Sequence, residues 1–172
     1  MKKLSLVTKN LEIENLGFPN LNILCLETGT GSPRLAILNG LHGLERTGAY
    51  LMNLLYENLR LEKGLISFIP FANPTSALAN TRLTPEDFQD LNRLFPGRSG
   101  ETLSFRIART LFDYLASFDL VVDIHTFPRM QMPLVGVWLT NTTENLKGET
   151  LKLLRLFAPD YIWKLDTTND EK

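Results

Sequence analysis

The stretch that most constrains the fold is a run of aliphatic residues, 35–38, that ends in an Asn-Gly pair. His42 and Glu45 follow it, three positions apart, and residues 49–60 then carry apolar side chains at helical spacing. This order predicts a buried strand, a turn and a helix, and the strand-to-helix turn is where α/β enzymes place their chemistry. Because histidine and glutamate can supply two of the three protein ligands of a catalytic zinc ion, the turn is a candidate metal site.

The second of the chain's two histidines, His125, has a similar context. It follows an apolar, β-branched run over residues 120–124, which predicts a strand buried on both faces. If the two runs are parallel strands of one sheet, both histidines lie at its carboxyl edge, and His42, Glu45 and His125 can bind one metal ion. In the alternative interpretation, each histidine is a satisfied interior residue and Glu45 is an exposed acid at a helix N-terminus. The matching contexts of the two histidines favour the metal.

Several motifs in a fixed order resemble the aspartoacylase/succinylglutamate desuccinylase family, whose members are relatives of the zinc carboxypeptidases. They are GLHGLE at 40–45, Asn73-Pro74, Arg82, DLNR at 90–93 and DIH at 123–125. The resemblance covers roughly residues 35–140 and implies a zinc-carboxypeptidase-like fold with one Zn²⁺ ion per chain. It departs from the family at Leu44, where a polar residue is more usual, and this change should affect the loop without removing a ligand.

The resemblance also implies roles for residues outside the metal site. Arg82 matches the arginine that polarises the scissile carbonyl and stabilises the oxyanion, which makes it the candidate catalytic residue. Asn92 and Arg93 match the pair that holds the substrate carboxylate, a task suited to a guanidinium because it forms two parallel hydrogen bonds. Asn73 would help to shape the pocket. We expect Arg98 to be an ordinary surface charge.

Asp123 lies two residues before His125 and therefore on the same face of the predicted strand. It could accept the free ring N–H of a metal-bound histidine, which fixes the tautomer and the orientation of the ring. Alternatively, backbone amides at the end of the strand could satisfy it. The first role is favoured because an unpaired carboxylate in so apolar a run would be costly.

Strands that alternate with helices predict an α/β fold with three layers, α/β/α, around a mixed, largely parallel sheet. A chain of 172 residues is long enough for one substantial core and too short for two typical domains. We therefore expect one catalytic domain over residues 1–172. The predicted strands are 4–7, 21–27, 34–39, 65–71, 120–124, 134–140 and 161–165, and the predicted helices are 49–60, 101–117 and 144–157. Turns are expected at 17–20 and 28–33, and an irregular, functional stretch at 72–100.

Composition narrows the possible functions. The formal net charge is −1 and the basic residues are scattered, which argues against a nucleic-acid partner. No apolar run approaches the roughly 20 residues of a membrane span, and the N-terminal apolar stretch is too short for a signal peptide. We therefore expect no membrane contact and a cytoplasmic location. The single cysteine, Cys25, is expected to be an inert core thiol.

The resemblance implies a zinc-dependent hydrolase that cleaves the amide bond of a small, anionic N-acyl amino acid. Such an enzyme also needs a carboxylate that takes a proton from water, and the family's glutamate lies well beyond the third metal ligand. No acid after His125 follows an apolar strand in that way, and Asp166 comes closest. We therefore expect a piece of a longer enzyme without its general base, whose exposed sheet edge would favour homo-oligomers. A short natural variant that uses another acid is the alternative.

Two other functions stay open at this point. One is a zinc carboxypeptidase of the same superfamily, which would cleave the last residue from a peptide. The other is a catalytically silent metal-binding or interaction module, which would bind zinc without turning over any acyl amino acid. An interpretation without metal predicts no bound zinc and no effect of a chelator on thermal stability.

Overall fold

The computed structural model consists of two units, residues 1–128 and residues 129–172, and each is described by itself. The residues that the structure describes are 5–13, 21–127, 133–139 and 144–165. The expected turn at 17–20 lies outside them. That the whole chain forms one catalytic domain stays a prediction.

The described part of the first unit contains a five-stranded sheet, three α-helices and a short 3₁₀ helix. The strands are β1 (Val7–Glu12), β2 (Asn22–Thr30), β3 (Arg34–Asn39), β4 (Gly64–Ile69) and β5 (Leu120–Ile124). The helices are α1 (Thr47–Asn58), α2 (Pro74–Ala79) and α3 (Leu103–Leu115), and the 3₁₀ helix is Leu91–Arg93. β3, β4, α1 and α3 begin and end within two residues of the predicted bounds.

The order of the strands in the sheet is β1-β2-β4-β3-β5. β2 pairs antiparallel with β1 and β4, whereas β3 pairs parallel with β4 and β5, so the predicted mixed sheet is confirmed. The parallel part of the sheet consists of β4, β3 and β5. The register of β3 and β5 pairs Asn39 with Ile124, which brings the carboxyl ends of the two strands side by side.

Helices cover both faces of this sheet, which confirms the three-layer α/β/α arrangement. Successive residues of β3 point to opposite faces. Ile37 belongs to the apolar cluster that contains Met52 of α1, and Leu38 to the cluster that contains Ile107 of α3. Cys25 lies in the second cluster, and burial raises the pKa of its thiol to about 11, as expected for an inert core thiol.

The first strand differs from its prediction. β1 runs from Val7 to Glu12 rather than over residues 4–7, and β2 continues to Thr30, three residues into the expected turn. Most of β1 is exposed because it pairs with β2 at the edge of the sheet. An exposed edge strand needs few apolar residues, so its pattern gives little signal.

The sequence predicts a buried stripe of α1 that consists of Ala49, Met52, Leu55 and Leu59, and the buried face differs from it in part. Gly48 and Met52 are buried and Tyr56 packs against the same apolar cluster, whereas Leu55 is 44% exposed. The helix is rotated because Gly48 lies directly against the Asn39 side chain, where a Cβ atom would overlap the amide. That close approach turns the 48, 52, 56 row toward the sheet.

The prediction that residues 120–124 are buried on both faces is wrong. The residues of β5 are half-buried or exposed, because among the described residues β5 pairs with β3 alone. The stretch 72–100 is also less irregular than expected. It contains α2 and the 3₁₀ helix, and their first turns are capped by the side chains of Asn73 and Asp90.

The second unit contains β6 (Val135–Leu139), α4 (Glu144–Leu156) and β7 (Tyr161–Leu165), as predicted within one residue at each end. β6 and β7 form a parallel pair, and α4 packs on β6 where Gly136 leaves room for Leu154. Asp166, the acid considered as a general base, lies outside the described residues. Across the described ranges, no helix is long and apolar enough to cross a membrane.

Candidate metal centre

Two glycines position His42 in the turn after β3. Gly40 has a φ of +77°, and a Cβ atom there would lie 3.2 Å from the Cα of Phe71. At Gly43, a Cβ atom would overlap the backbone of Ser76 in α2. The turn that carries His42 therefore packs directly on the backbone that follows β4, and only glycine permits both close approaches.

Asn39 holds the other end of this turn. Its fully buried side chain donates from Nδ2 to the backbone oxygen of Glu45 (2.9 Å) and to that of Pro70 (3.1 Å). The backbone N–H of Glu45 donates in turn to the carbonyl of His42 (3.1 Å). These bonds fold the chain so that the His42 and Glu45 side chains face each other.

His125 reaches the same place from β5. Nδ1 of His125 lies 3.1 Å from Glu45 Oε2, and Nδ1 of His42 lies 2.7 Å from Glu45 Oε1. The backbone N–H of Thr126 donates to Glu45 Oε2 (2.8 Å). The structure thus brings together the three predicted ligands, whose candidate ligand atoms all lie within 4.8 Å of one another.

The surroundings of Glu45 and His125 shift the pKa values of both side chains. Burial opposes ionisation of Glu45, but hydrogen bonds from His125, His42 and the Thr126 N–H outweigh it and lower the pKa of the carboxyl to about 2. Hydrogen bonds to Asp123 and Glu45 outweigh the burial of His125 and raise its pKa to about 10. Carboxylates therefore surround the two rings, and the cluster favours a positive charge at its centre.

A carboxylate also lies on the outer side of each ring. Asp123 Oδ2 is 2.9 Å from Nε2 of His125, the contact predicted from the sequence. Asp90 Oδ1 is 2.9 Å from Nε2 of His42, a contact that the sequence did not predict. With both Nε2 atoms engaged outward, both Nδ1 atoms face Glu45. Two imidazole nitrogens and a carboxylate that converge in this way fit a divalent metal such as zinc.

Asp90 could have been found as an acid in the DLNR motif, but nothing in that motif identifies its partner. It caps the 3₁₀ helix by accepting from the N–H of Asn92 (3.0 Å). Its second oxygen accepts from Nη2 of Arg82 (2.9 Å). Arg82, the predicted catalytic residue, is therefore one carboxylate away from His42.

The other predicted residues lie further from the three candidate ligands. Arg93 is exposed and donates from Nη1 to the backbone oxygen of Asn92 (3.3 Å). Asn73 is fully buried, accepts from the N–H of Ser76 and donates to Thr84 Oγ1 (2.8 Å), so its contacts organise the loop. Within the described residues, no hydrogen bond joins the side chains of Asn73, Asn92 or Arg93 to the three candidate ligands.

Comparisons with known proteins bear on the family of this chain. The family model for the succinylglutamate desuccinylase/aspartoacylase catalytic domain matches residues 31–171. An N-alpha-acetyl-L-2,4-diaminobutyric acid deacetylase of Halomonas elongata is 30% identical over 107 residues, which are 60% of this chain and 31% of that protein. The chain therefore spans about a third of the length of this curated relative.

Solved structures with the same fold are about twice as long as this chain. An aspartoacylase family protein from Mesorhizobium loti superposes with a TM-score of 0.83 at 26% identity, covering 98% of this chain and 55% of that one. A metallo-carboxypeptidase from Burkholderia cenocepacia superposes with a TM-score of 0.70 at 15% identity, covering 99% of this chain and 50% of that one. The second likeness concerns the fold alone and confirms the expected carboxypeptidase-like architecture.

Proposed function

The chain belongs to the succinylglutamate desuccinylase/aspartoacylase family, and on that premise we propose that it carries the zinc site of a hydrolase that cleaves the amide bond of an N-acyl amino acid. One observation carries the proposal: His42 and His125 direct Nδ1 at the carboxylate of Glu45 from the ends of adjacent parallel strands. We propose one zinc ion per chain, held by these three residues, because two histidines and a glutamate form a known catalytic zinc set.

The residues of the chain would prepare this site in two ways. Asp90 and Asp123 hold the two rings through Nε2, so that Nδ1 of each ring points at Glu45 and would bind the metal once it carries no proton. Glu45 is ionised at neutral pH because its pKa is about 2. Zinc, when bound, supplies Lewis acidity that polarises a carbonyl and activates water.

Arg82 is the residue that we propose for stabilising the carbonyl oxygen as it gains negative charge. Its guanidinium is half-exposed and is anchored to Asp90, which touches the buried His42. In the reaction, the oxygen of water bonds to the carbonyl carbon, the C–N bond breaks, and the amine leaves with a proton from that water. We assign no residue of this chain to the transfer of that proton.

The substrate that we propose is a small anionic N-acyl amino acid. The family description and the name of the Halomonas relative both refer to amino acids acylated on nitrogen. Arg93 is exposed and Asn92 is half-buried, so their side chains are open to a ligand, and we propose that they hold its carboxylate. A role for Asn73 would be indirect, through the loop that it ties to Thr84. The cytoplasmic location stays a prediction.

Metal analysis and a substrate panel test this function together. We expect about one zinc ion per chain in the wild-type protein and a loss of zinc in His42→Ala. N-acetylated amino acids, N-succinylglutamate and a C-terminal dipeptide then serve as substrates. Turnover of the dipeptide alone would favour a carboxypeptidase. Bound zinc without any turnover, also in a protein of the full length of the relatives, would favour a silent metal-binding module. A wild-type protein that binds no zinc would overturn the proposal.

A further inference from the structure

The carboxylate of Asp90 lies between a candidate metal ligand and the proposed catalytic arginine. Oδ1 is 2.9 Å from Nε2 of His42, and Oδ2 accepts from Nη2 of Arg82 at 2.9 Å. One oxygen of the Asp90 carboxylate therefore contacts a proposed metal ligand, and the other contacts the proposed catalytic arginine. The bond to His42 joins two distant segments, because His42 lies in the turn after β3, whereas Arg82 lies in the same stretch after α2 as Asp90.

The exposure of the side chains to solvent increases from His42 through Asp90 to Arg82. The side chain of His42 is 3% exposed, that of Asp90 19% and that of Arg82 49%. Asp90 therefore connects the interior of the site to the surface where a substrate would arrive. Its charge is shared by two donors in surroundings that screen less than water, so a change at one donor is felt at the other.

The backbone around Asp90 leaves the carboxylate little freedom to follow either partner. Oδ1 also accepts from the N–H of Asn92, and the Asp90 carbonyl accepts from the N–H of Arg93 (2.9 Å). The first turn of the 3₁₀ helix thus fixes Asp90, so the positions of His42 and Arg82 are set relative to each other.

We infer that Asp90 is a positioning residue that couples Arg82 to the metal ligand His42. The inference rests on the proposed function and deepens it. A carboxylate that accepts from the Nε2–H of a histidine makes Nδ1 a stronger metal ligand. Arg82 withdraws part of that negative charge. Removal of Arg82 leaves the whole carboxylate to His42 and strengthens the binding of zinc.

The aspartate behind the other histidine provides a matched control. Asp123 contacts Nε2 of His125 at 2.9 Å, and in the described part of the chain it has no arginine as a second partner. Asp123→Asn should therefore weaken zinc binding without changing the effect of Arg82. Arg93→Ala controls for the loss of a positive charge, because Arg93 donates to a backbone oxygen rather than to Asp90.

Asp90→Asn separates the two contacts. Its amide has one acceptor oxygen, and the Oδ1 position already receives two donors, from His42 and from the N–H of Asn92. The amide NH₂ group would then face Arg82, which has no acceptor to offer. The variant should keep the bond to His42, lose the charge and release the guanidinium.

A double-mutant cycle on zinc affinity tests the coupling without any assay of activity. Zinc Kd is measured by chelator competition for the wild type, Arg82→Ala, Asp90→Asn and the double variant. We expect Asp90→Asn to weaken binding about 10-fold. Arg82→Ala should tighten binding about two- to fivefold when Asp90 is present, and should have little effect in the Asp90→Asn background. In the Asp123→Asn background the effect of Arg82→Ala should persist.

The outcomes separate this inference from the proposed function. An equal effect of Arg82→Ala with and without Asp90 would show that Arg82 acts through space alone, and would overturn the inference while the zinc site stands. A wild-type chain that binds no zinc would overturn both. If Asp90→Asn does not fold, the same cycle is run with Asp90→Ser, which keeps an oxygen that can cap the 3₁₀ helix. We expect the effect of Arg82→Ala to disappear in that background, and an undiminished effect would contradict the coupling.

Discussion

The imidazole rings of His42 and His125 lie 5.3 Å apart, centroid to centroid, and are tilted by 57°. They belong to different loops and meet because β3 and β5 are adjacent and parallel. Both rings turn Nδ1 toward the one carboxylate of Glu45. A divalent cation bound at this point would contact all three groups at once, so its binding should stabilise the folded chain.

Zinc should stabilise the folded chain. At a free zinc concentration about 100-fold above Kd, linkage predicts about 2.7 kcal/mol, or a rise in Tm of roughly 5–10 °C for a chain of this length. Thermal unfolding with zinc and with a chelator measures the difference. His42→Ala should show no shift, whereas Tyr50→Ala, at an exposed position of α1, should behave like the wild type. A full shift in His42→Ala would contradict the assignment of this ligand.

Gly43→Ala should damage the turn that carries His42. The added Cβ atom would overlap the backbone of Ser76, so either the turn or α2 must move. We expect a loss of about 1–3 kcal/mol in the free energy of unfolding, as for other overpacked sites, together with weaker zinc binding. Gly148→Ala is the control, because nothing lies within 4 Å of the added atom and alanine favours a helix. Chemical denaturation of both variants measures the contrast, and equal stabilities would refute the close approach.

Met52→Ala and Leu55→Ala test the rotation of α1. Met52 is 4% exposed and belongs to the cluster on that face of the sheet, whereas Leu55 is 44% exposed. The first substitution should cost about 2–5 kcal/mol of unfolding free energy because it leaves a cavity. The second should cost less than about 1 kcal/mol, as is usual at exposed positions. Urea denaturation measures both, and comparable losses would favour the stripe predicted from the sequence, in which both side chains are buried.

Features that follow from periodicity could be predicted from the sequence. The two apolar runs mark strands, and parallel strands end at one edge, so the sequence predicts that His42, Glu45 and His125 converge. Strand alternation likewise placed Asp123 on the face of His125, where the structure has it in contact with Nε2. The convergence of the three candidate ligands and the contact of Asp123 with His125 both follow from a local pattern and one general rule of topology.

The remaining features depend on contacts between distant segments. Asp90 reaches His42 and Arg82 across two loops, and no periodic pattern specifies such a meeting. The rotation of α1 results from one contact, between Gly48 and the side chain of Asn39. An apolar pattern indicates that a helix has a buried face, but a single close approach can shift that face by one residue.

Acid should weaken the link between the loop after α2 and the start of α3. Asp87 accepts from the N–H of Ser104 (2.8 Å) and from its hydroxyl (2.7 Å). Burial opposes ionisation of Asp87, but these bonds outweigh it and lower the pKa of the carboxyl below 3.8. A lowered pKa contributes stability above the unfolded value, and that stability is lost as the pH falls through the folded one. Asp87→Asn should therefore cost about 1 kcal/mol at pH 7, typical of a lost cap, and the cost should shrink as the pH falls below the usual pKa of an aspartate. Urea denaturation at neutral and at acidic pH measures the difference, with Asp113→Asn, at an exposed position of α3 paired with Arg109, as control. A loss that does not shrink in acid would refute the role of the charge.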